Sequence, residues 1–438
     1  DIMAWLHLNE MRNMDTADPD LASPDIFFSS KGHDAPALYS SLIGLGKLDY
    51  DLIHQLRRID GLPGHPDVAI PHVVTNTGSL GMGISKAKGM IFANRLKGKV
   101  AKVFVLTGDG ELQEGQFWES LVSAKNCKMD ELTVIIDHNK LQSDTLVSKV
   151  SDLGDLQAKL KAFGWHVSRC DGNDLESFSS TLEQSNAITG VPKIIIADTV
   201  KGKGVAFMEH TAIDSDVELY KFHSGAPTED AYMVAVQELI ASANHKLTSV
   251  GLDQLVLESV TRPTTESSGV REKLVAAYSD ALIKQTRSNS SIVALDADLI
   301  LDTGLIPFQT EFPERFVECG IAEQDMVSQA GGIAIQGLLP IVHSFACFLS
   351  ARPSEQIYNN ATEATKIIYV GSLAGLVPGG PGHSHQAVRD ISSMSSIPNL
   401  ILMEPSCESE VKQLLDWAVD VNEQSSYLRL VSVPCEVP

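Results

Sequence analysis

Nowhere in its 438 residues does this chain hold the run of about 18 apolar residues that a helix needs to cross a bilayer. Nor do the first residues place a basic stretch before an apolar one, as a secretory leader would. No membrane partner is therefore expected. Basic residues are scarce as well: 34 Lys and Arg face 56 Asp and Glu, a formal charge of −22. Such a surface repels a nucleic-acid duplex and an anionic membrane, although a local basic cluster can still hold phosphate. Cysteine is thinly spread. Cys127, Cys170, Cys319, Cys347, Cys407 and Cys435 form no CxxC pair and no dense spacing, so no disulfide framework is expected and a reducing cytoplasm fits best. Short-period repeats and low-complexity tracts are absent.

What remains is a chain that is 43% hydrophobic and 21% charged, an ordinary balance for a folded protein long enough for two or three domains. It opens on Asp1 rather than Met, and DIMAWLHL reads as the middle of an amphipathic helix, so N-terminal sequence is expected to be missing. From Lys102 to Val200 apolar runs alternate with helical stretches: VFVLTGDG, a helix from Glu114 to about Lys125, LTVIIDHN, then KIIIADTV. Short runs rich in Val and Ile between helices predict a parallel sheet covered on both faces. TRPTTESSG loses the periodicity, as a linker over 251–267 would. The alternation then restarts with SIVALDAD, LPIVHSF, KIIYVGS and LILMEP, a helix from about Glu408 to Val419, and SSYLRLV. The fold class is α/β, with two doubly wound parallel-sheet domains over 1–250 and 268–438.

GDGELQEG, Gly108 to Gly115, follows a strand and opens a helix, where an open α/β sheet binds ligands. Its glycines let the backbone approach phosphate, the helix start favours an anion, and Asp109 offers a metal ligand. Alone, GDG equally fits a plain strand-to-helix turn. Asn139 changes the balance, because it lies 30 positions after Asp109 at the end of the next strand-like run. Adjacent parallel strands bring their carboxyl ends together, so both residues can reach one metal through oxygen.

The longer motifs are more specific. SKGHDAPALYSSL, GLPGHPD, TGSLGMGISKAKGM, TGDGELQEGQFWESL, IIDHNKLQSD, TVKGKGVAFMEH and FHSGAP occur in this order, followed by ECGIAEQDM, HSFACFLSARPSEQI and GPGHSHQAVRDI. Nearly the whole chain thus resembles the transketolase family, and looks closest to its split N- and C-terminal subunits joined in one chain. The resemblance implies thiamine diphosphate as cofactor, with a diphosphate-binding first domain and a pyrimidine-binding second domain. Asp109, Asn139 and the backbone oxygen of Leu141 would ligate magnesium or calcium, and His33, Gly110 and His223 would touch the diphosphate. Gly78, Leu80 and Gly108 would also bind the cofactor, and His33 and His223 would count among the catalytic residues. His65 in PGHP would face the substrate. Glu323 in GIAEQ matches the essential glutamate that bonds N1′ of the aminopyrimidine and favours its imino tautomer, while Phe345 and Phe348 would pack that ring. Taken singly, these histidines and aromatics fit ordinary core or surface roles. Asp298 and Glu114 match two further family carboxylates, the first near the cofactor and the second in a proton network joining two active sites. Glu114 also has a plain reading as a carboxylate at a helix start. His385 matches the family histidine that handles substrate hydroxyl protons, with His383 as a rival because GPGHSHQAV carries two extra residues.

By resemblance the activity is transfer of a two-carbon ketol unit from a ketose to an aldehyde, by a homodimer with active sites at the subunit interface. Rival readings are a deoxyxylulose phosphate synthase-like or 2-oxo acid decarboxylating enzyme, and a non-catalytic paralogue serving as scaffold. Several departures from the family stand out. The family's GHPG histidine before SKGH would lie in the missing N-terminal piece, position 351 holds Ala where a third aromatic is expected, and the usual third domain after VPCEVP is either absent or outside this sequence. Of the residues that grip a sugar's terminal phosphate in the family, Arg271 alone clearly remains. The serine position reads Asp302, VGSLAGLVPGG has no histidine, SVPCEVP has no arginine, and Arg429 would serve only with a different strand placement. An unphosphorylated acceptor, or one whose anionic group sits elsewhere, is therefore expected.

Overall fold

The computed structural model describes residues 1–12, 24–58, 60–209, 219–223, 226–257 and 271–434. The first half builds a sheet from β1 (Ile26–Ser29), β2 (Val103–Gly108), β3 (Leu132–His138), β4 (His166–Asp171) and β5 (Lys193–Asp198). Their spatial order is β1-β2-β3-β5-β4, all parallel. The second half builds another from β6 (Ile292–Asp296), β7 (Phe316–Glu318), β8 (Leu339–Phe345), β9 (Ile368–Ser372), β10 (Leu400–Met403) and β11 (Ser425–Arg429). That sheet runs β10-β11-β9-β8-β6-β7, again all parallel.

Both faces of each sheet are buried because strand side chains alternate in direction. In β2, Val103 and Val105 join one core and Phe104 and Leu106 the other. Helices Gly83–Leu96 and Gly115–Asn126 cover the first of these faces, and Ala35–Gly44 and Leu175–Asn186 the second. In the second half, Leu274–Ser288 and Glu408–Asp420 pack on one face, and Glu323–Ile335 and Ser354–Thr362 on the other. Two covered, twisted parallel sheets are the expected α/β architecture.

The central runs appear where the periodicity places them, and the helix expected from Glu114 starts one residue later, at Gly115. Glu114 itself is extended, with φ −68° and ψ 127°. DIMAWLHL is one turn of α-helix, Ile2–Trp5, continued by a π-helical turn over Leu6–Glu10. Three strands went unread: β1, β4 and β7, each at a sheet edge. An edge strand needs less apolar cover, and HVSRCD in β4 exposes half of its polar alternation to solvent. A helix over Glu229–Ser249 closes the first half, and residues 252–257 follow without regular structure. Most of the expected linker lies outside the described residues.

Candidate active site

The carboxyl ends of both sheets open onto one cavity of about 340 Å³. β2 and β3 are neighbours with Gly108 paired to Asp137, so the residues just beyond them, Asp109 and Asn139, reach the same wall. Lys140 turns the chain between Asn139 and Leu141 with φ 68°, and its amide donates to Asp109 Oδ2 at 2.5 Å. Asp109 Oδ1 accepts from the Gly110 amide at 2.9 Å, and Asn139 Oδ1 from the Leu141 amide at 2.9 Å. Burial pushes Asp109 up to about 6, against the pull of these amides. Among the described residues no three His, Cys, Asp or Glu gather as a metal cluster. The candidate set of one carboxylate, one amide oxygen and the Leu141 carbonyl is instead all oxygen, the donor type that magnesium and calcium accept.

Four imidazoles line the cavity. His33 and His223 lie with ring centroids 5.1 Å apart, and His65 stacks on His385 at 4.6 Å. His65 Nδ1 sits 2.5 Å from the Pro381 carbonyl, which can only accept, so Nδ1 carries the proton and Nε2 is left as an acceptor. Lys201 Nζ donates to His223 Nδ1 and to the Gln142 carbonyl, each at 2.8 Å, which places the His223 proton on Nε2. Burial, with Lys201 and Lys31 beside it, pushes His223 down to about 3. Burial, followed by His65 and Arg352, does the same to His385. Gly78 has φ 93°, and a Cβ there would collide with Ser384, so this loop closes on the second half only with glycine.

The second half supplies the remaining wall. Asp298, just beyond β6, holds a left-handed backbone at φ 61° and accepts from the Ser143 hydroxyl of the first half at 3.1 Å. Burial and nearby Glu318 push it up to about 8. Glu323 starts its helix with only 2% of its surface exposed. Phe345 and Phe348 stand 5.7 Å apart, each within 6 Å of His385. Arg352 Nη1 donates to Glu323 Oε1 at 2.7 Å and to Glu114 Oε1 at 2.6 Å.

Of the residues singled out from sequence, His33, His65, Gly78, Leu80, Gly108, Asp109, Gly110, Asn139, Leu141, His223, Asp298, Glu323, Phe345, Phe348 and His385 all line this cavity. Two do not. Glu114 stands behind Arg352 rather than on the wall, because its carboxylate is committed to that guanidinium. Arg271 lies exposed at the start of the second half and is not among the residues that line the cavity. His385 lines the cavity, while His383 does not and lies 3.8 Å from Asp67. Sequence reasoning missed Lys31, Lys201, Gln142, Ser143, Asp144 and Arg352, which also line it. The lysines sat in plain view in SKGH and TVKGKG; Arg352 gave no signal beyond its place next to the unexpected Ala351.

Residues 2–246 match the family model described as transketolase, thiamine diphosphate binding domain, and residues 273–431 match the transketolase, pyrimidine binding domain. The chain belongs to the transketolase family. It is similar to transketolase-like protein 2 of Mus musculus, 33% identical over 428 residues, and to human transketolase, 32% identical over 412 residues. Either alignment covers 93% of this chain and 65% of the relative, so the chain spans a little under two thirds of the length of these transketolases. Among solved structures, transketolase from Leishmania mexicana aligns with 99% of this chain and 72% of its own at 22% identity, with a TM-score of 0.44. Within this family fold, one chain's own two halves face each other across the cavity.

The imidazoles give a pH test. With folded values near 3, His223 and His385 should stay neutral from pH 5 to pH 8. An unfolded histidine takes up a proton near pH 6.5, so both residues withdraw stability as pH falls from there toward 3. Imidazole NMR signals of His223 and His385, assigned through glutamine substitutions, should show no titration in that range. A midpoint near 6.5 for either would contradict the burial described above.

Proposed function

We propose that this chain transfers a two-carbon ketol unit from a ketose to an aldehyde, using thiamine diphosphate and a divalent metal ion in the cavity between its halves. The observation that supports this most is the convergence of Asp109 and Asn139 with Glu323 on one cavity, although they lie in opposite halves of the sequence. The residues fit such a cofactor. An all-oxygen donor set and a glycine turn occupy the first-half wall, and a buried Glu323 oxygen, Oε2, is left without a protein partner on the other. Asp109, Asn139 and the Leu141 carbonyl would hold the metal, and Gly108 and Gly110 the diphosphate. Phe345, Phe348 and Glu323 would hold the pyrimidine. Bound there, the cofactor would supply a stabilised carbanion at thiazolium C2 that attacks a carbonyl carbon.

The chain's own groups then handle protons. His65 Nε2 and neutral His385, stacked at the cavity wall, are placed to accept a proton from a substrate hydroxyl and return it, and their neutral state suits the accepting role. A scaffold has no need of such an arrangement, which weighs against a non-catalytic paralogue. Deoxyxylulose phosphate synthase-like and decarboxylating readings are separated by offering pyruvate against ketoses. We place the reaction in the cytoplasm, on the strength of five described cysteines that are all free; no helix among the described residues is long and apolar enough to cross a membrane.

The assembly that suits the family is a homodimer in which two copies exchange second halves. Such an exchange would preserve each contact now made within one chain. Glu323→Gln keeps the side chain's shape and removes its acid function, so turnover should fall by orders of magnitude with the fold intact. Mixing it with Asp109→Ala chains, each inactive alone, should restore activity by forming one intact site per mixed pair. Near-full turnover in Glu323→Gln would show that the wrong glutamate was assigned, and no recovery on mixing would place each site within a single chain.

The acceptor end of the cavity is acidic. Asp302 and Asp144 both line it, and burial together with Asp302 pushes Asp144 up to about 6. Two carboxylates that repel each other also repel phosphate, so the acceptor is unphosphorylated or turns its anionic group elsewhere, the side near exposed Arg57 being the cationic alternative. Specificity constants for ribose and other neutral aldehydes should equal or exceed that for ribose 5-phosphate. A strong preference for the phosphorylated sugar would overturn this assignment.

A further inference from the structure

Arg352 is the cation that joins the two halves at the cavity. Its Nη1 donates both to Glu323 Oε1, at 2.7 Å in the second half, and to Glu114 Oε1, at 2.6 Å in the first. The three side chains are largely shielded from solvent: 13% of the Arg352 side chain is exposed, 14% of Glu114 and 2% of Glu323. The guanidinium carbon also lies 4.2 Å from the centre of the Phe348 ring. It thus covers the aromatic wall beside Ala351, where the sequence lacks a third ring.

The clamp is incomplete on one side. Glu323 Oε2 and Arg352 Nη2 are both buried and neither has a protein partner. A buried donor and a buried acceptor left open on a cavity wall are costly, and a ligand edge offering the complementary pair removes that cost. Glu323 cannot aim Oε2 at such an edge by itself, because a free carboxylate at a helix start rotates about its side-chain bonds. One oxygen fixed by Arg352 orients the other, provided Arg352 is itself fixed. Glu114 does this from the opposite half.

We propose that Arg352 is a positioning residue that anchors on Glu114 and turns Glu323 Oε2 toward the bound cofactor's aminopyrimidine, so that the ring is held only when the two halves are engaged. The inference rests on reading the cavity as the thiamine diphosphate site. It separates two parts of binding: the diphosphate is held by Asp109, Asn139 and the glycine turn, none of which touches Arg352, whereas the ring depends on the clamp. Burial pushes Glu114 up to about 8, with Arg352 pulling it down and Glu323 and Glu111 pushing further. Two buried carboxylates therefore remain side by side once the guanidinium is removed, and Glu323 loses its fixed aim.

Calorimetric titration of full-length protein with magnesium, using inorganic diphosphate and thiamine diphosphate as separate probes, tests this. Arg352→Met should weaken thiamine diphosphate at least tenfold and leave inorganic diphosphate within about twofold of wild type. Glu114→Gln should show the same selective loss, the double variant should be no worse than Arg352→Met alone, and Arg352→Lys should recover part of the affinity. Equal weakening of both probes would mean that Arg352 is a structural residue only and would overturn the proposal. So would unchanged thiamine diphosphate affinity in either single variant. If wild type binds thiamine diphosphate no better than inorganic diphosphate, the ring has no site to be positioned in and the proposal falls. If wild type binds neither probe, the cofactor reading itself falls, and this inference with it.

Discussion

One guanidinium shared by two buried carboxylates ties the first half of this chain to the second at the place where their cavity closes. Removing water from an arginine and two carboxyl groups is expensive, and the cost is met only when each group finds its partner in good geometry. Arg352 provides that partner for Glu114 and Glu323 at once, and its face rests on Phe348. Closure elsewhere is lighter: Ser143 reaches Asp298, and the glycine at position 78 lets Ser384 come close. The same buried groups that would destabilise an open molecule are those to which the proposed function assigns the cofactor's ring.

The two parallel sheets explain why so many distant residues meet. A parallel strand delivers its following loop to the carboxyl edge, and each half repeats that arrangement. Asp109 and Asn139 follow β2 and β3, while Asp298 follows β6, Phe345 ends β8 and Glu323 lies past β7. Turning the two carboxyl edges toward each other converts five short loops into opposed walls, one rich in oxygen donors and lysine, the other in aromatics and acids. Burial of that space drives the local chemistry, since it pushes imidazoles down and carboxylates up without any one strong partner.

Much of this was legible in the chain itself. Val- and Ile-rich runs mark the central strands because those strands are covered on both faces, and GDG with Asn139 marks neighbouring strand ends. Of the four edge strands only the apolar β10 was legible; β4 and β7 carry too little apolar pattern to stand out from loops. Residue roles that come from the motifs, such as Glu323 and His65, sit on the cavity wall. Arg271 does not: it is exposed and stands outside the set of lining residues. Arg352 was invisible for a different reason. Its role depends on Glu114, 238 positions away in sequence, and only the closed fold brings the two together.

The central claim is that the cavity moves a two-carbon unit. It is tested most directly by giving the purified chain thiamine diphosphate, magnesium, a ketose labelled with carbon-13 at its first two carbons and a panel of aldehydes, then identifying the products by mass. The account predicts a product two carbons longer than the aldehyde, carrying both labels, with an aldose two carbons shorter than the donor released unlabelled. Retention of both labels in unreacted ketose, with no lengthened aldehyde product, would contradict it.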